Sequence, residues 1–328
     1  MVTEHLLPHM QQVSSRNPMV DIAKGLLILL VVVGHTSGLN NDVSRYILWF
    51  HMPCFFIISG LFMKTDGTLR SEVRKKMLRI VVPYACFSIL LGCVMHRGQV
   101  LQTILATLYG GWAIQNAYTY PYYFLTVLFI ASLMVFALRK YTRRPWLWII
   151  VAYVAIHLII TRFTLAQLIW VPWDADMALF VAAYLMIGSQ WRTFFLKNPY
   201  GGVCLVLLCA LYALDIMGVI HYQFSLNKFV WPIGLDIVVP VIALQAVFFI
   251  SAWLAKVPAV CRALCYVGRA SLCIMLLHPA LLQASYALFQ GKDVNIMVHP
   301  MVASLASIAA YWLLTRHRIT RMMLGEKK

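Results

Sequence analysis

The stretch Asp21 to His35 reads D-I-A-K-G-L-L-I-L-L-V-V-V-G-H, an apolar run with a lysine near its start and a histidine at its end. Its composition predicts the core of a membrane-spanning helix. On a helix that rises 1.5 Å per residue, Lys24 and His35 lie roughly 16 Å apart along the axis. Because an ionisable side chain inside a membrane is costly, both residues are candidates for a functional site.

The composition of the whole chain is that of a membrane protein. Of its 328 residues, 62% are hydrophobic and 12% are charged, whereas soluble domains contain about 25% charged residues. The net charge of +16 does not indicate nucleic-acid binding, because the basic residues lie in short segments between apolar runs. The eight cysteines fall mostly within apolar runs and form no CxxC pair, so we interpret them as packing residues.

Ten apolar runs are long enough to cross a bilayer and predict an all-α, polytopic integral membrane protein. They lie at about 20–39, 46–63, 80–96, 119–138, 146–161, 174–190, 200–218, 230–252, 269–289 and 298–315. If the N-terminus is cytoplasmic, the outer loops hold only a few basic residues, which are Arg45, Arg97, Arg162, Lys228 and Lys292. The positive-inside rule therefore predicts that both termini are cytoplasmic.

This topology divides the chain into three parts. Residues 1–19 are expected to form a cytoplasmic segment without a removable signal peptide. Residues 20–315 form a single integral-membrane domain, and residues 316–328 form a basic cytoplasmic tail. The half-apolar outer segment 98–118 is predicted to be an interfacial or re-entrant helix. Its Trp112 either anchors the protein at the lipid headgroups or stacks on a sugar ring.

His35 can serve as a general base towards a hydroxyl group, because an imidazole accepts and returns a proton near neutral pH. The small polar residues Thr36 and Ser37 follow it and favour a hydrated cavity. His51 precedes Pro53 at the start of the second span and could assist His35. The alternative for each histidine is a structural role, within the helix bundle for His35 and at the membrane interface for His51.

A basic segment precedes the third span and contains Arg74, Lys75, Lys76 and Arg79. Such a cluster can bind phosphate oxygens through charge and forked hydrogen bonds. Together with Lys24, these residues are the candidates for a phosphate-binding site at the cytoplasmic face. Topology and attraction to anionic lipid explain a basic inner loop equally well.

Several acids enter the membrane from the predicted outer side. Asp174 and Asp176 open the sixth span and are candidate substrate-binding residues, whereas Asp236 lies early in the eighth span. We expect Asp236 to orient His35 or to hold a sugar hydroxyl, and Asp215 is a weaker candidate for the same role.

His278 lies near mid-membrane in the ninth span, directly before Pro279. It is either a substrate-binding residue or a polar packing residue. His35, His51 and His278 show no metal-ligand spacing, so we predict no metal site.

Four segments of the chain resemble the membrane-bound acyltransferase-3 family, in particular its branch of fucose 4-O-acetylase-like sugar acetyltransferases. They are Asp21 to His35, Phe50-His51-Met52-Pro53 with the following Phe55 to Leu61, the basic loop leading to Arg79 and Pro83-Tyr84, and Ile274 to Pro279. The resemblance extends over nearly the whole chain. Lys24 and Lys76 depart from it, because family members commonly carry arginine at the first position and a pair of arginines three residues apart in the loop.

The resemblance implies transfer of an acetyl group from cytoplasmic acetyl-CoA to a hydroxyl of a cell-envelope or exported polysaccharide, with His35 as the catalytic residue. It also implies residence in the inner membrane of a bacterium, contact with membrane lipid and a glycan or glycolipid acceptor, and it is compatible with a homo-oligomer. An alternative is a proton-coupled transporter or flippase of a glycolipid or small polar solute, in which the buried histidines and acids relay protons.

Overall fold

A computed structural model describes residues 17–39, 41–95, 99–114, 118–162, 171–220, 222 and 234–325. Every regular element in these residues is helical. The α-helices are α1 (Pro18–Gly34), α2 (Asn41–Leu48), α3 (His51–Leu61), α4 (Leu69–Lys76), α5 (Val82–Met95), α6 (Val100–Tyr109), α7 (Tyr123–Tyr141), α8 (Pro145–Arg162), α9 (Ala178–Gln190), α10 (Arg192–Lys197), α11 (Gly201–Ile216), α12 (Leu235–Leu254), α13 (Pro258–Arg269), α14 (Ser271–Leu288), α15 (Val298–Leu314) and α16 (Arg318–Met323).

The predicted all-helical membrane protein agrees with the structure at this coarse level. Among the described residues, four helical stretches are long and apolar enough to cross a membrane, which are Leu69–Val94, Tyr120–Tyr141, Leu235–Leu254 and Ser271–Leu288. The described part of each of the ten predicted runs overlaps an α-helix. The number of spans and the orientation of the termini remain predictions.

The structure contains short helices that the apolar runs did not reveal. The predicted run 46–63 is divided into α2 and α3 by Trp49 and Phe50, and α3 begins at His51 with Pro53 in its first turn. A proline is compatible with this position because the first amide groups of a helix lack intrahelical partners. In the segment 98–118, which is predicted to lie on the outer side, α6 exposes Leu101, Leu105 and other apolar side chains, as a helix in contact with lipid would.

Helix α1 lies at the centre of the fold. It packs against α2, α3, α12, α13, α14 and α15, and its apolar residues are buried around most of its circumference, as expected for a helix inside a bundle. At Gly25, an added Cβ atom would overlap the carbonyl oxygen of Leu264 on α13. Glycine therefore permits the close approach of these two helices.

A second close contact fixes α3 against α9. An added Cβ atom at Gly60 would overlap the carbonyl oxygen of Leu185, and one at Gly188 would overlap that of Ile57. Glycine at both positions therefore allows α3 and α9 to pack closely. Helix α1 also contacts α3, and His35 at the end of α1 lies close to His51 at the start of α3.

Candidate active site

A cavity of about 440 Å³ lies between α1, α3, α14 and the segment from Tyr120 to Phe124. Lys24, Ile28, Val31 and His35 all line it, and their spacing places them on one face of α1. The cavity therefore follows α1 for roughly 16 Å, the rise between Lys24 and His35. The two residues singled out in the sequence belong to one cavity, which we call the reaction cavity.

The ring of His35 is held by His278. Helix α1 ends at Gly34, and His35 caps it with a backbone N–H directed to Val31. The Nδ1 atom of His35 lies 2.9 Å from Nε2 of His278, and Nδ1 of His278 lies 2.9 Å from the carbonyl oxygen of Ile274. The two imidazole planes differ by only 12°.

This hydrogen-bond chain assigns the tautomers of both neutral rings. A carbonyl oxygen can only accept, so Nδ1 of His278 carries a proton and its Nε2 is an acceptor. His35 must then donate from Nδ1, which leaves a lone pair on its Nε2. A fixed lone pair on a residue that lines a cavity is what a general base requires.

The structure corrects one expectation for the orienting group. We expected Asp236 to orient His35 or to hold a sugar hydroxyl, but the residue bonded to Nδ1 of His35 is His278, and the sugar-binding alternative stays a prediction. Asp236 accepts a hydrogen bond from the hydroxyl of Tyr153, and its carbonyl oxygen accepts one from Tyr184. Asp236 is absent from the residues described as lining the reaction cavity. His278 is fully buried and lies behind His35 instead of forming part of the cavity lining.

His51 lies beside His35, with 6.2 Å between their ring centroids, and also lines the reaction cavity. Its Nδ1 lies 2.9 Å from the carbonyl oxygen of Ile47, so the proton of the neutral ring is on Nδ1. The neutral ring can therefore accept a hydrogen bond through Nε2 but cannot donate one there.

The two polar residues that follow His35 make hydrogen bonds of their own, and a neighbouring tyrosine lies close to the ring of His35. The hydroxyl of Thr36 donates to the carbonyl oxygen of Val32, and the backbone N–H of Ser37 donates to the hydroxyl of Tyr286. Tyr120 is a residue that sequence reasoning missed. Its ring lies 4.9 Å from that of His35, edge to face, and it lines the reaction cavity.

Lys24 lies at the opposite end of the reaction cavity. Its ammonium group lies 5.8 Å from the centroid of the Phe62 ring, and Ser59 and Ser271 also line the cavity. A cation in a cavity that is also lined by hydroxyl groups is suited to hold an anionic group of a ligand whose other end reaches His35.

The four basic residues that we grouped with Lys24 lie outside the described cavity lining. Lys75 and Lys76 pair with Glu72 at 3.5 and 3.9 Å. Arg74 is exposed at the end of α4, and Arg79 lies in a π-helical turn, Met77–Val81. A π-helical turn changes the direction of side chains relative to the preceding helix and is common at functional sites.

The contacts of Asp215 indicate that it stabilises the fold. Its carboxylate lies 2.6 Å from the guanidinium of Arg45 and accepts a hydrogen bond of 3.0 Å from the hydroxyl of Tyr46. The hydrogen bond to Asp215 raises the pKa of Arg45. The pair joins α2 to α11.

The predicted substrate-binding residues Asp174 and Asp176 do not line the described reaction cavity. Asp174 is buried and its Oδ2 has no hydrogen-bond partner among the described residues, whereas Asp176 is exposed. Trp112 lies in the helical turn Gly111–Ile114, and its side chain lies outside the described part of the structure. Within the described residues, no group of three His, Cys, Asp or Glu side chains is arranged to hold a metal ion.

Comparison with known families decides the general identity of the chain. The acyltransferase-3 family model, described as an acyltransferase domain, matches residues 17–316. The chain belongs to the acyltransferase-3 family. It is therefore a membrane acyltransferase, and the match spans all the residues that form the reaction cavity. No curated protein and no solved structure matches the chain.

Proposed function

We propose that the protein transfers an acetyl group from cytoplasmic acetyl-CoA to a hydroxyl of a cell-envelope or exported glycan, with His35 as the general base. The observation that carries this proposal is that Lys24 and His35 line one cavity while His278 fixes the tautomer of His35. The family match supports acyl transfer, and the position of Lys24 in the cavity lining supports a donor that carries an anionic group.

Lys24 is suited to hold an anionic part of the donor. The nucleotide and its phosphates would lie at the cytoplasmic face near Arg74, Lys75, Lys76 and Arg79. The thioester would then extend along α1 towards His35. Glu72 offsets part of the charge on Lys75 and Lys76, so we expect the two arginines to make the stronger phosphate contacts.

During acyl transfer, His35 first accepts a proton and later donates it. Nε2 of His35 removes the proton of the acceptor hydroxyl, and the oxygen attacks the carbonyl carbon of the thioester. The developing oxyanion needs a donor, and we assign this role to the hydroxyl of Tyr120, whose ring lies 4.9 Å from that of His35 and lines the reaction cavity. When the carbon–sulfur bond breaks, His35 returns the proton to the thiolate, which gives the acetyl ester and free coenzyme A.

The hydrogen bond to His278 has a role in both steps. Nε2 of His278 keeps the proton of neutral His35 on Nδ1, and it continues to accept a hydrogen bond from this N–H group when His35 is an imidazolium. A covalent route, in which Nε2 of His35 first takes the acetyl group, uses the same geometry. Exchange of label between acetyl-CoA and free coenzyme A in the absence of acceptor distinguishes this route from direct transfer.

The proposed function can be tested in cells and with purified protein. A deletion strain should lose O-acetyl groups from a surface glycan and regain them with the wild-type gene but not with His35→Ala. Purified protein should transfer radiolabelled acetyl from acetyl-CoA to oligosaccharides of that glycan. Unchanged glycan acetylation in the deletion strain, together with no transfer in vitro, would contradict the proposal.

A further inference from the structure

A second cavity, of about 170 Å³, lies between α5, α6 and the turn Gly111–Ile114. It is separate from the reaction cavity, and its polar lining consists of hydroxyl and amide side chains, which are Ser88, Gln99, Gln102, Thr103, Thr107 and Thr119. No charged side chain occurs among the residues described as lining it. This chemistry is suited to a neutral ligand rich in hydrogen-bonding groups.

Ser88 provides independent evidence that this cavity binds a ligand. Its side chain is only 3% exposed, and its Oγ has no hydrogen-bond partner among the described residues. Buried polar groups in folded proteins nearly always have partners, and an exception requires a reason. A hydroxylated ligand in the cavity would supply the missing hydrogen bond.

The remaining hydroxyls offer a defined set of acceptors and donors. The hydroxyl of Thr107 donates to the carbonyl oxygen of Thr103 at 2.8 Å, and that of Thr119 donates to the carbonyl oxygen of Ile114. Both threonine oxygens therefore present acceptors, whereas the amide of exposed Gln102 offers donors and an acceptor. Sugar hydroxyls donate and accept at once, so a sugar unit can satisfy this mixed set.

The walls of the cavity are held together in advance of binding. The hydroxyl of Tyr84 on α5 donates to the carbonyl oxygen of Thr107 on α6 at 2.8 Å. An added Cβ atom at Gly92 would overlap the methyl group of Thr103, so glycine allows α6 to lie close to α5. A preformed cavity reduces the entropy lost when a ligand binds.

The position of this cavity relates it to the reaction cavity. Thr119 lines the second cavity, whereas the next residue, Tyr120, lines the reaction cavity and lies 4.9 Å from the ring of His35. Since consecutive Cα atoms are about 3.8 Å apart, the two cavities flank one short segment. We propose that the second cavity binds a neutral sugar unit of the acceptor, next to the unit that receives the acyl group, an inference that rests on the proposed function.

Hydrogen exchange tests binding without requiring catalysis. Full-length protein in detergent would be incubated with methyl glycosides of glucose, galactose, N-acetylglucosamine and rhamnose, one at a time and at millimolar concentration. We expect at least one of them to slow exchange of the amides in 99–107, and we expect Ser88→Ala to remove this protection. If none of the four sugars slows exchange there, the cavity holds only water and the inference is wrong.

Transfer kinetics supply the second readout. Ser88→Ala and Gln102→Leu should raise the acceptor KM roughly twofold to tenfold each, the effect of one lost hydrogen bond, while the acetyl-CoA KM stays unchanged. The matched control is Ser251→Ala, because buried Ser251 donates to the carbonyl oxygen of Val247 at 2.7 Å and lines neither described cavity. An unfolding temperature equal to that of the wild type shows that a variant is folded.

The two proposals fail in different ways. If the wild-type protein transfers no acetyl group, the proposed function is wrong. The slowing of amide exchange in 99–107 by a sugar tests the second cavity without depending on acetyl transfer. An unchanged acceptor KM in folded Ser88→Ala, in a protein that does transfer acetyl, overturns the sugar-site inference and leaves the proposed function intact.

Discussion

Nδ1 of His35 and Nε2 of His278 lie 2.9 Å apart, although the two residues are 243 positions apart in the chain. Nδ1 of His278 donates the next hydrogen bond, to the carbonyl oxygen of Ile274. This bond determines which atom donates and which accepts between the two histidines. His278 is therefore a positioning residue in our account, because it acts on the reaction through His35.

Replacement of His278 with alanine should lower kcat by about tenfold to a hundredfold with little change in the acetyl-CoA KM, because His35 loses the acceptor that selects its tautomer. His278→Gln should recover part of the loss if its carbonyl oxygen accepts from Nδ1 of His35. Steady-state kinetics measure both variants. A KM effect without a kcat effect would indicate that His278 contacts the substrate instead.

Tyr120→Phe should reduce kcat by roughly 10²-fold, the usual effect of removing one oxyanion donor. The ring packing against His35 is retained in this variant, so folding and substrate affinity should be preserved. Tyr200→Phe provides a control, since Tyr200 is 59% exposed and lies outside the described lining of either cavity. Equal activity of Tyr120→Phe and wild type would remove Tyr120 from the mechanism.

Lys24→Ala should raise the acetyl-CoA KM by about tenfold or more, because a hydrogen bond to a charged group is lost. Lys24→Arg should retain most of the affinity, since the charge is kept at the same end of the cavity. Lys75→Ala should have a smaller effect, because Lys75 pairs with Glu72 and lies outside the described cavity lining. If Lys24→Ala leaves the acetyl-CoA KM unchanged, the anionic group of the donor binds elsewhere.

Asp215→Asn should lower stability by about 2 kcal/mol, because the carboxylate loses its charged hydrogen bond to Arg45. The KM values for donor and acceptor should stay at wild-type levels in the folded fraction. Thermal unfolding in detergent and steady-state kinetics separate the two effects. A raised acceptor KM at unchanged stability would restore Asp215 as a sugar-binding residue.

Gly188→Ala should destabilise the protein by about 1–3 kcal/mol, because the new methyl group would overlap the carbonyl oxygen of Ile57 on α3. Gly202→Ala is the matched control, since its Cβ would lie 3.6 Å from the ring of Phe249, an ordinary contact. In the control, loss of a helical glycine should raise stability by about 0.5–1 kcal/mol. Equal unfolding temperatures of the two variants would show that α3 and α9 are less tightly packed than the structure indicates.

The central elements of the fold could be predicted because each depends on a local pattern. The run from Asp21 to His35 has the length and apolarity of a buried helix, and α1 occupies nearly the same residues. The start of α3 at His51 likewise follows from the proline in its first turn. Helix α2 is too short and too polar to have the apolar pattern that indicates a membrane-spanning segment.

The partners within the site could not be predicted from local patterns. The pairing of His35 with His278 depends on how α1 and α14 pack, and no spacing along the chain encodes it. For the same reason Asp236 was assigned to His35, whereas the structure places it beside Tyr153. The contact between Tyr120 and His35 likewise arises only in the folded bundle, so no local pattern singles out this tyrosine.

The most direct test of the central claim is thiol release from radiolabelled acetyl-CoA by purified wild-type protein and His35→Ala, in the presence of the glycan acceptor. Our account predicts that His35→Ala lowers the rate by about 10²–10⁴-fold while the variant still binds acetyl-CoA and unfolds at the wild-type temperature. Full thiol release and acetyl transfer by His35→Ala would contradict the account.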